Sequence, residues 1–342
     1  MRIRLQDVAA LAGVSESTVS RVMNAKSGVS ERTRTRVLAV LAEMGYAPPA
    51  LHAPQMGSVG VIVPELDNPI FPKFVQTIEA RLLASGYICV LGCATRVGVG
   101  EDDYLDLLVD RRVSGVVVVS GRHADVRADH SIYERVVDRG IALVTVNGGI
   151  PDSDIASVSA DDRAATSTAY QHLRSLGHER IGLLIGPRCY TPVLRKLEGF
   201  LDEAHRNGVV GDPEELVAET IFSLDGGHSG AQRLLDAGVT GIVAASDMMA
   251  LGAIRAARQR GMSVPDDVSI VGFDDTELMR FTDPPLTTVH QPVSRIVDYA
   301  VDILLAQIRG QPFDRAERML PGELIVRATT TRSRTGRIAA IG

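Results

Sequence analysis

In the stretch GVSESTVSRVMN (residues 13–24), Glu16, Ser17, Ser20, Arg21 and Asn24 fall on one side of a single short helix. At about 100° per residue they cover an arc of roughly 140°. A carboxylate, hydroxyls, a guanidinium and an amide would therefore meet one partner surface that offers both donors and acceptors. A second polar set stands at the ends of short apolar runs: Asn68 and Phe71 after VGVIVP, then Asn147, Asp247 and Asp274 after ALVTV, TGIVAAS and VSIVGF. In open α/β sheets ligands bind beyond the carboxyl ends of strands, so these residues converge only if two halves face each other. Covalent and metal chemistry lack such support. The eight histidines show no HxH or HExxH spacing and no serine sits in a nucleophile elbow, so no enzyme activity, cofactor or metal is expected. Cys89, Cys93 and Cys189 are too few and too irregular for a disulfide framework, and the first two, in ICVLGC, read as buried thiols. Gly226, Gly227 and Gly230 in SLDGGHSGA lack the spacing of a dinucleotide loop and read as a flexible helix entry. His178 in GHERIG reads as trimming a helix end.

These residues need elements to hold them. Three short helical patterns fill residues 5–45. Ser15 is a good N-cap for the second, and Val14 with Val19 has the spacing of a hydrophobic staple. Val19, Val22 and Met23 turn inward and leave the polar stripe outside. The third helix runs from a Ser30 cap to Gly45, a residue suited to a left-handed C-terminus. YAPPALHAPQMGS (46–58) holds three prolines and reads as a linker. Beyond it, apolar runs at 59–64, 87–92, 115–120, 142–147, 180–186, 240–246 and 268–274 alternate with amphipathic stretches. Near-continuous apolar strands separated by helices imply parallel sheets covered on both faces, and seven units suit two doubly wound halves.

A chain of 342 residues has room for roughly two to three domains. With 45% hydrophobic and 23% charged residues, no low-complexity tract, no membrane-spanning apolar run and no signal-peptide core, a cytoplasmic globular protein is expected. The net charge of −6 is uneven: residues 1–57 carry seven Lys and Arg against four Asp and Glu, leaving 29 against 38 in the rest. A basic head on an acidic body suggests that the head alone meets a polyanion.

IRLQDVAALAGVSESTVSRVMNAKSGVSERTRTRV resembles the DNA-binding headpiece of the LacI/GalR family of bacterial transcription regulators. The body is similar to the same family in VGVIVPELDNPIF, RRVSGVVVV, SLGHERIGLLIG, SDMMALGA, VPDDVSIVGFDDTE and DPPLTTVHQP, in order along nearly the whole chain. The resemblance implies a helix-turn-helix headpiece (1–46), a hinge (47–57) and a periplasmic-binding-protein-like core (58–330) in two doubly wound parallel-sheet subdomains. Their expected extents are about 58–158 with 289–317, and 159–288 with 318–330, followed by a tail (331–342). It implies a sequence-specific regulator, a repressor, whose affinity for operator DNA is switched by a sugar-like effector between the subdomains. Glu16, Ser17 and Arg21 would reach base edges, with Ser20 beside them: arginine suits guanine, serine several bases, and glutamate the cytosine amino group. Glu16 is equally explained by the helix dipole. Asn24, Ser30 and Arg34 suit phosphate contact or capping. Phe71, Asn147, Arg195, Lys196, Asp247 and Asp274 would hold the effector; strand-end capping is the alternative for the two aspartates, and burial for Phe71. A homodimer on a pseudo-palindromic operator is implied, without the leucine heptads that tetramerise some relatives.

Four departures bear on this. Arg4 stands where a capping threonine is usual. In the hinge Pro49 replaces an asparagine, His52-Ala53 an Ala-Arg pair and Gln55 the wedging leucine, while Pro54 would interrupt a helix, with Leu51 or Met56 as substitutes for the wedge. Lys196 takes the place of an arginine and cannot give its bidentate clamp. Asn147 and SLDGGHSGA alter the pocket wall. A regulator answering to a non-sugar ligand, or to no small molecule, therefore stays open beside a solute-binding module, which would instead show an export signal and no headpiece.

Overall fold

The computed structural model describes residues 5–23, 29–30, 33, 36–37, 39–41, 57–95 and 98–333. Asn24, Arg34, Arg4, the Met23 side chain and residues 42–56, with Gly45 and the hinge, lie outside the described residues. The chain divides at Gly57 into two compact units. In the first, α1 (Leu5–Ala12) and α2 (Glu16–Met23) are joined through Gly13 at φ +61°, a left-handed position that glycine adopts without strain. Ser15 caps α2 as its spacing predicts: its Oγ accepts the Thr18 N–H at 3.2 Å. Val8, Ala9, Ala12, Val19 and Val22 bury against Val37 and Leu41 of a third helical stretch, a core small enough that each residue matters.

The second unit holds the two expected doubly wound sheets. The first half carries β1 (Gly57–Val63), α3 (Ile70–Ala84), β2 (Tyr87–Cys93), α4 (Glu101–Asp110), β3 (Gly115–Val119), α5 (Ser131–Asp138), β4 (Ala142–Val146) and β5 (Ser157–Ala160). The second carries α6 (Asp162–Ser175), β6 (Ile181–Ile185), α7 (Thr191–Arg206), β7 (Val217–Glu219), α8 (Leu224–Asp236), β8 (Gly241–Ala244), α9 (Asp247–Gln259), β9 (Ser269–Asp274) and β10 (Thr287–His290). The chain then returns through α10 (Val293–Ile308) and β11 (Arg318–Leu320) and ends in β12 (Glu323–Ile325). Strand orders are β11-β5-β4-β3-β1-β2 and β12-β10-β9-β8-β6-β7. Of the pairings described, β10–β12 is antiparallel and the others are parallel.

β3 and β4 are buried along their whole length, as valine-rich strands covered on both faces must be. α10 belongs to the first half: Gln307 bonds both the N–H and the C=O of Leu143, each at 3.1 Å. The subdomain boundaries need correction. β5 runs to Ala160, β10 stays in the second sheet to His290, and β11 lies in the first sheet beside β5 rather than in 318–330 of the second half. The reason is geometric: each crossing leaves from the carboxyl end of a strand, β5, β10 or β11, so a boundary can fall only where that strand stops. Both sheets consequently turn carboxyl edges toward the crossings.

SLDGGHSGA also differs from expectation, because it is not a flexible entry. Ser223 caps α8, its Oγ accepting the Gly226 N–H at 2.9 Å. A Cβ on Gly227 would lie 2.3 Å from the Met249 carbonyl, and one on Gly252 would lie 2.2 Å from that of Leu224, so glycine is what lets α8 and α9 approach. Cys89 and Cys93 are only half-buried, since β2 is an edge strand. His178 trims the end of α6 as expected, its N–H donating to the Leu173 carbonyl at 3.1 Å, and its buried ring, with Nδ1 3.0 Å from Thr240 Oγ1 and Nε2 3.0 Å from the Thr331 carbonyl, also ties a strand start to the C-terminal segment. Among the described residues no helix is long and apolar enough to cross a membrane.

Candidate functional site

On α2, Glu16, Ser17 and Arg21 are exposed and Ser20 is half-buried, while Val19 and Val22 anchor the opposite side. The Ser17 hydroxyl lies 2.8 Å from Ser15 Oγ, so the cap also orients Ser17. Ser30 accepts the Thr33 N–H at 3.3 Å and caps the third helical stretch. The side chains left outward are a carboxylate at the positive end of the helix dipole and a guanidinium in the last turn, both favoured electrostatically.

In the core the strand-end residues divide into two kinds. Asp247 opens α9, but Ser246 caps that helix, through the Met249 N–H at 3.2 Å. The Asp247 carboxylate instead accepts the Thr276 N–H at 2.8 Å, the Thr276 hydroxyl at 3.2 Å and the Thr288 hydroxyl at 2.6 Å. It thus braces α9 against β10 and the turn after β9, and burial pushes its pKa up to about 7 against those hydrogen bonds. Asp274 behaves differently. It ends β9 at φ +114°, is buried, and receives no hydrogen bond on its carboxyl among the described residues. Burial and then the Asp247 charge hold it well above the usual carboxylate range, with Lys196 opposing.

Lys196 is not free at the strand ends, although Asp274 at the end of β9 feels its charge. Its ammonium is buried against the carboxylate of Asp162 and lies 3.7 Å from the centre of the Phe273 ring. It lines an interior void of about 10 Å³ walled by Ala165, Leu183, Val243 and Val289, room for a single water. Asp162, which sequence reasoning missed, is the second acid of SADDRA; Asp161 takes the cap through the Ala164 N–H at 2.9 Å and leaves Asp162 to turn inward. Burial raises its pKa and Lys196 opposes the rise.

Arg195, one residue earlier on α7, pairs through its two terminal guanidinium nitrogens with Glu317, at 2.9 and 2.5 Å, and Ser159 donates to the same carboxylate. Glu317 directly precedes β11, so the pair ties the second subdomain to the first. Although burial pushes Glu317 up, the bonds from Arg195 and Ser159 hold it below the usual range. The same seam carries an antiparallel bridge between Asp125 and Tyr190, a Val126 N–H on the Cys189 carbonyl at 2.9 Å and a Thr191 hydroxyl on that of Ala124 at 3.3 Å.

Asn147 sits at φ +62° after β4, donates to Ser120 Oγ at 3.1 Å, and keeps a buried Oδ1 without a partner. His123 was also missed. Its Nε2–H meets the Val146 carbonyl at 3.2 Å, its Nδ1 is buried without a partner, and burial lowers its pKa to about 4, so the ring is neutral. Gln291, just after β10, likewise buries an unpartnered Oε1. Phe71 packs half-buried against the first hydrophobic core. The only signal for His123 was its place shortly after the readable β3 run, and nothing local marked Gln291, because β10 has no apolar run.

Comparison with known proteins agrees with both units. The family model for bacterial regulatory proteins of the lacI family matches residues 4–49, and that for a periplasmic binding protein-like domain matches 170–330. HTH-type transcriptional regulator reg1 of Streptomyces lividans is 49% identical over 337 residues, 96% of this chain and 97% of its own. The chain belongs to the lacI family of bacterial regulatory proteins. Among solved structures, the complex of the transcriptional regulator CelR with cellobiose is 30% identical at a TM-score of 0.73, over 96% of this chain and 100% of that one. The lac repressor dimer bound to operator and the anti-inducer ONPF is 31% identical at 0.72, over 97% and 100%. As a lacI-family member the chain is a DNA-binding transcription regulator and not an enzyme.

Proposed function

We propose that this regulator represses by holding a pseudo-palindromic operator as a homodimer, with Glu16, Ser17 and Arg21 at base edges and Ser20, Ser30, Asn24 and Arg34 at the rim or backbone, and that a sugar-like effector between the core subdomains alters that grip. The observation that carries the DNA assignment is the exposed polar face of α2 opposite a buried Val19 and Val22. Recognition helices place their N-terminal residues on base edges, and Arg21 supplies the donor fork that guanine accepts. Acting on DNA places the protein in the cytoplasm.

The effector assignment rests on the strand-end acceptors around Asp274, Asn147 and Gln291 and on the cellobiose bound by the CelR relative. Asp247 supports the site from behind by fixing the turn that carries Asp274, and Arg195 by fixing the seam. A ligand that fits one arrangement of the seam better than another shifts the two headpieces through that difference in affinity. Exposed Ile221, Leu224, Leu278 and Phe281 on the second subdomain, at 56, 42, 61 and 73%, favour a second copy as their cover. Gel shift on DNA upstream of the protein's own gene tests the reading. Specific retardation is expected and Arg21→Ala is expected to abolish sequence preference; an unchanged preference overturns the role given to Arg21.

A further inference from the structure

The charges around the proposed effector crevice are already spent on one another. Lys196 is paired to Asp162 with side chains only 6% and 3% exposed, and lines a small void beside Gly272 and Phe273 near the end of β9. Arg195 is clamped by Glu317, and Arg327 by Asp275 at 2.6 Å. On the acidic side one group is left over, the Asp274 carboxyl. Three buried acceptors also lack donors among the described residues: Gln291 Oε1 beside it, and Asn147 Oδ1 and His123 Nδ1 at the β4 end of the first sheet, in residues 5, 7 and 0% exposed. They fall into two groups, one in each subdomain. Asn147 ends β4, His123 bonds the carbonyl of Val146 beside it, and Gln291 donates its N–H to the Asp274 carbonyl at 3.3 Å. A buried acceptor with no donor costs free energy that a ligand hydroxyl would recover.

Resting on the effector reading above, we infer that the crevice selects its ligand by charge: it takes an uncharged, hydroxyl-rich ligand and rejects phosphorylated or carboxylated counterparts, because the cations beside it are paired to the chain's own carboxylates. The substitution of Lys196 for arginine is then no weakened clamp. Asp162 neutralises the cation that would otherwise meet an anionic ligand. Asp274, in either protonation state, offers no positive charge, and ionised it repels an anion through a poorly screened interior.

Titration calorimetry of the full-length protein with matched pairs tests this: cellobiose and its 6′-phosphate, glucose and glucose 6-phosphate, ribose and ribose 5-phosphate. For each pair whose neutral member binds, the phosphate is expected to bind at least about thirtyfold more weakly. Equal or tighter binding of the phosphate overturns the inference and leaves the effector reading standing. If neither member of any pair binds, the effector reading for sugars fails, and inorganic phosphate still decides the charge argument. Wild-type protein is expected to show no phosphate-dependent rise in Tm, whereas Asp162→Asn, which frees Lys196, is expected to gain one; a rise in the wild type overturns the inference.

Discussion

Replacing Lys196 by methionine keeps the length of the side chain and removes its charge, leaving the Asp162 carboxylate buried with no cation. Both partners are almost fully enclosed, so solvent cannot take over the ammonium's role. Breaking such a pair from one side costs about 3–5 kcal/mol, most of it the penalty on the abandoned charge, and the contact over Phe273 is lost with it. For a core of this size that corresponds to a fall in Tm of roughly 6–20 °C. The deficit should depend on pH. Burial already raises Asp162, and without Lys196 its folded-state pKa climbs further above the unfolded one. The folded variant then binds a proton that the unfolded chain has lost, so its stability falls as pH rises and the deficit is smaller at pH 5 than at pH 8. Circular dichroism melts suit a chain without tryptophan. Asp162→Asn combined with Lys196→Met should restore most of the loss, since two neutral groups can pack where one charge cannot. A single-variant loss under about 1 kcal/mol, or a double variant showing the sum of two large losses, would refute the assignment of a mutually dependent buried pair.

Four further outcomes are expected. If Glu16 reads cytosine, Glu16→Gln changes the preferred operator in a selection from randomised DNA, and a preference that stands while affinity rises confines Glu16 to the helix dipole. Asp247, with a pKa of about 7 against 3.8, binds an extra proton in the folded state between those values, so its contribution to stability falls as pH rises through that window and is flat above it. Between pH 5 and 8 the wild type should lose about 2–3 kcal/mol that Asp247→Asn does not, and parallel stability curves would contradict this. Glu317→Gln removes one arm of the Arg195 clamp, and hydrogen exchange in segments 122–128 and 187–191 should rise about fivefold, a shift of about 1 kcal/mol; unchanged protection there would show that the clamp does not hold the seam. Phe281→Glu should yield a monomer by light scattering, whereas a persistent dimer would move the interface off this face.

Much of the architecture was legible because it rests on local pattern. The seven apolar runs are strands β1 to β4, β6, β8 and β9; six of them lie inside their sheets and are apolar because both faces are covered, whereas β2 is an edge strand with Val90 and Leu91 exposed. β5, β7 and β10 to β12 were not legible. They are three or four residues long and lean on polar residues such as Thr287 and Thr288, whose hydroxyls bond Thr330 and Asp247 in the folded chain. The α2 stripe was readable for the same local reason: Ser15, Val19 and Val22 fix the helix and its orientation within a few residues, so the exposed remainder follows.

By itself, then, the sequence determined which residues could stand at strand ends and which could face outward from α2. Only the tertiary structure decided which of the strand-end acids keeps a free carboxyl. Asp247 and Asp274 both stand where a sheet ends, yet one is consumed by Thr276 and Thr288 and the other is left without a donor. Lys196 follows the same logic: nothing within SADDRA or VLRKLEGF says that a lysine 34 residues further on will be claimed by Asp162. Periodicity and capping act over a few residues, whereas the pairing of buried charge depends on which elements the fold brings together, here α6 and α7, which are separated in the chain by β6.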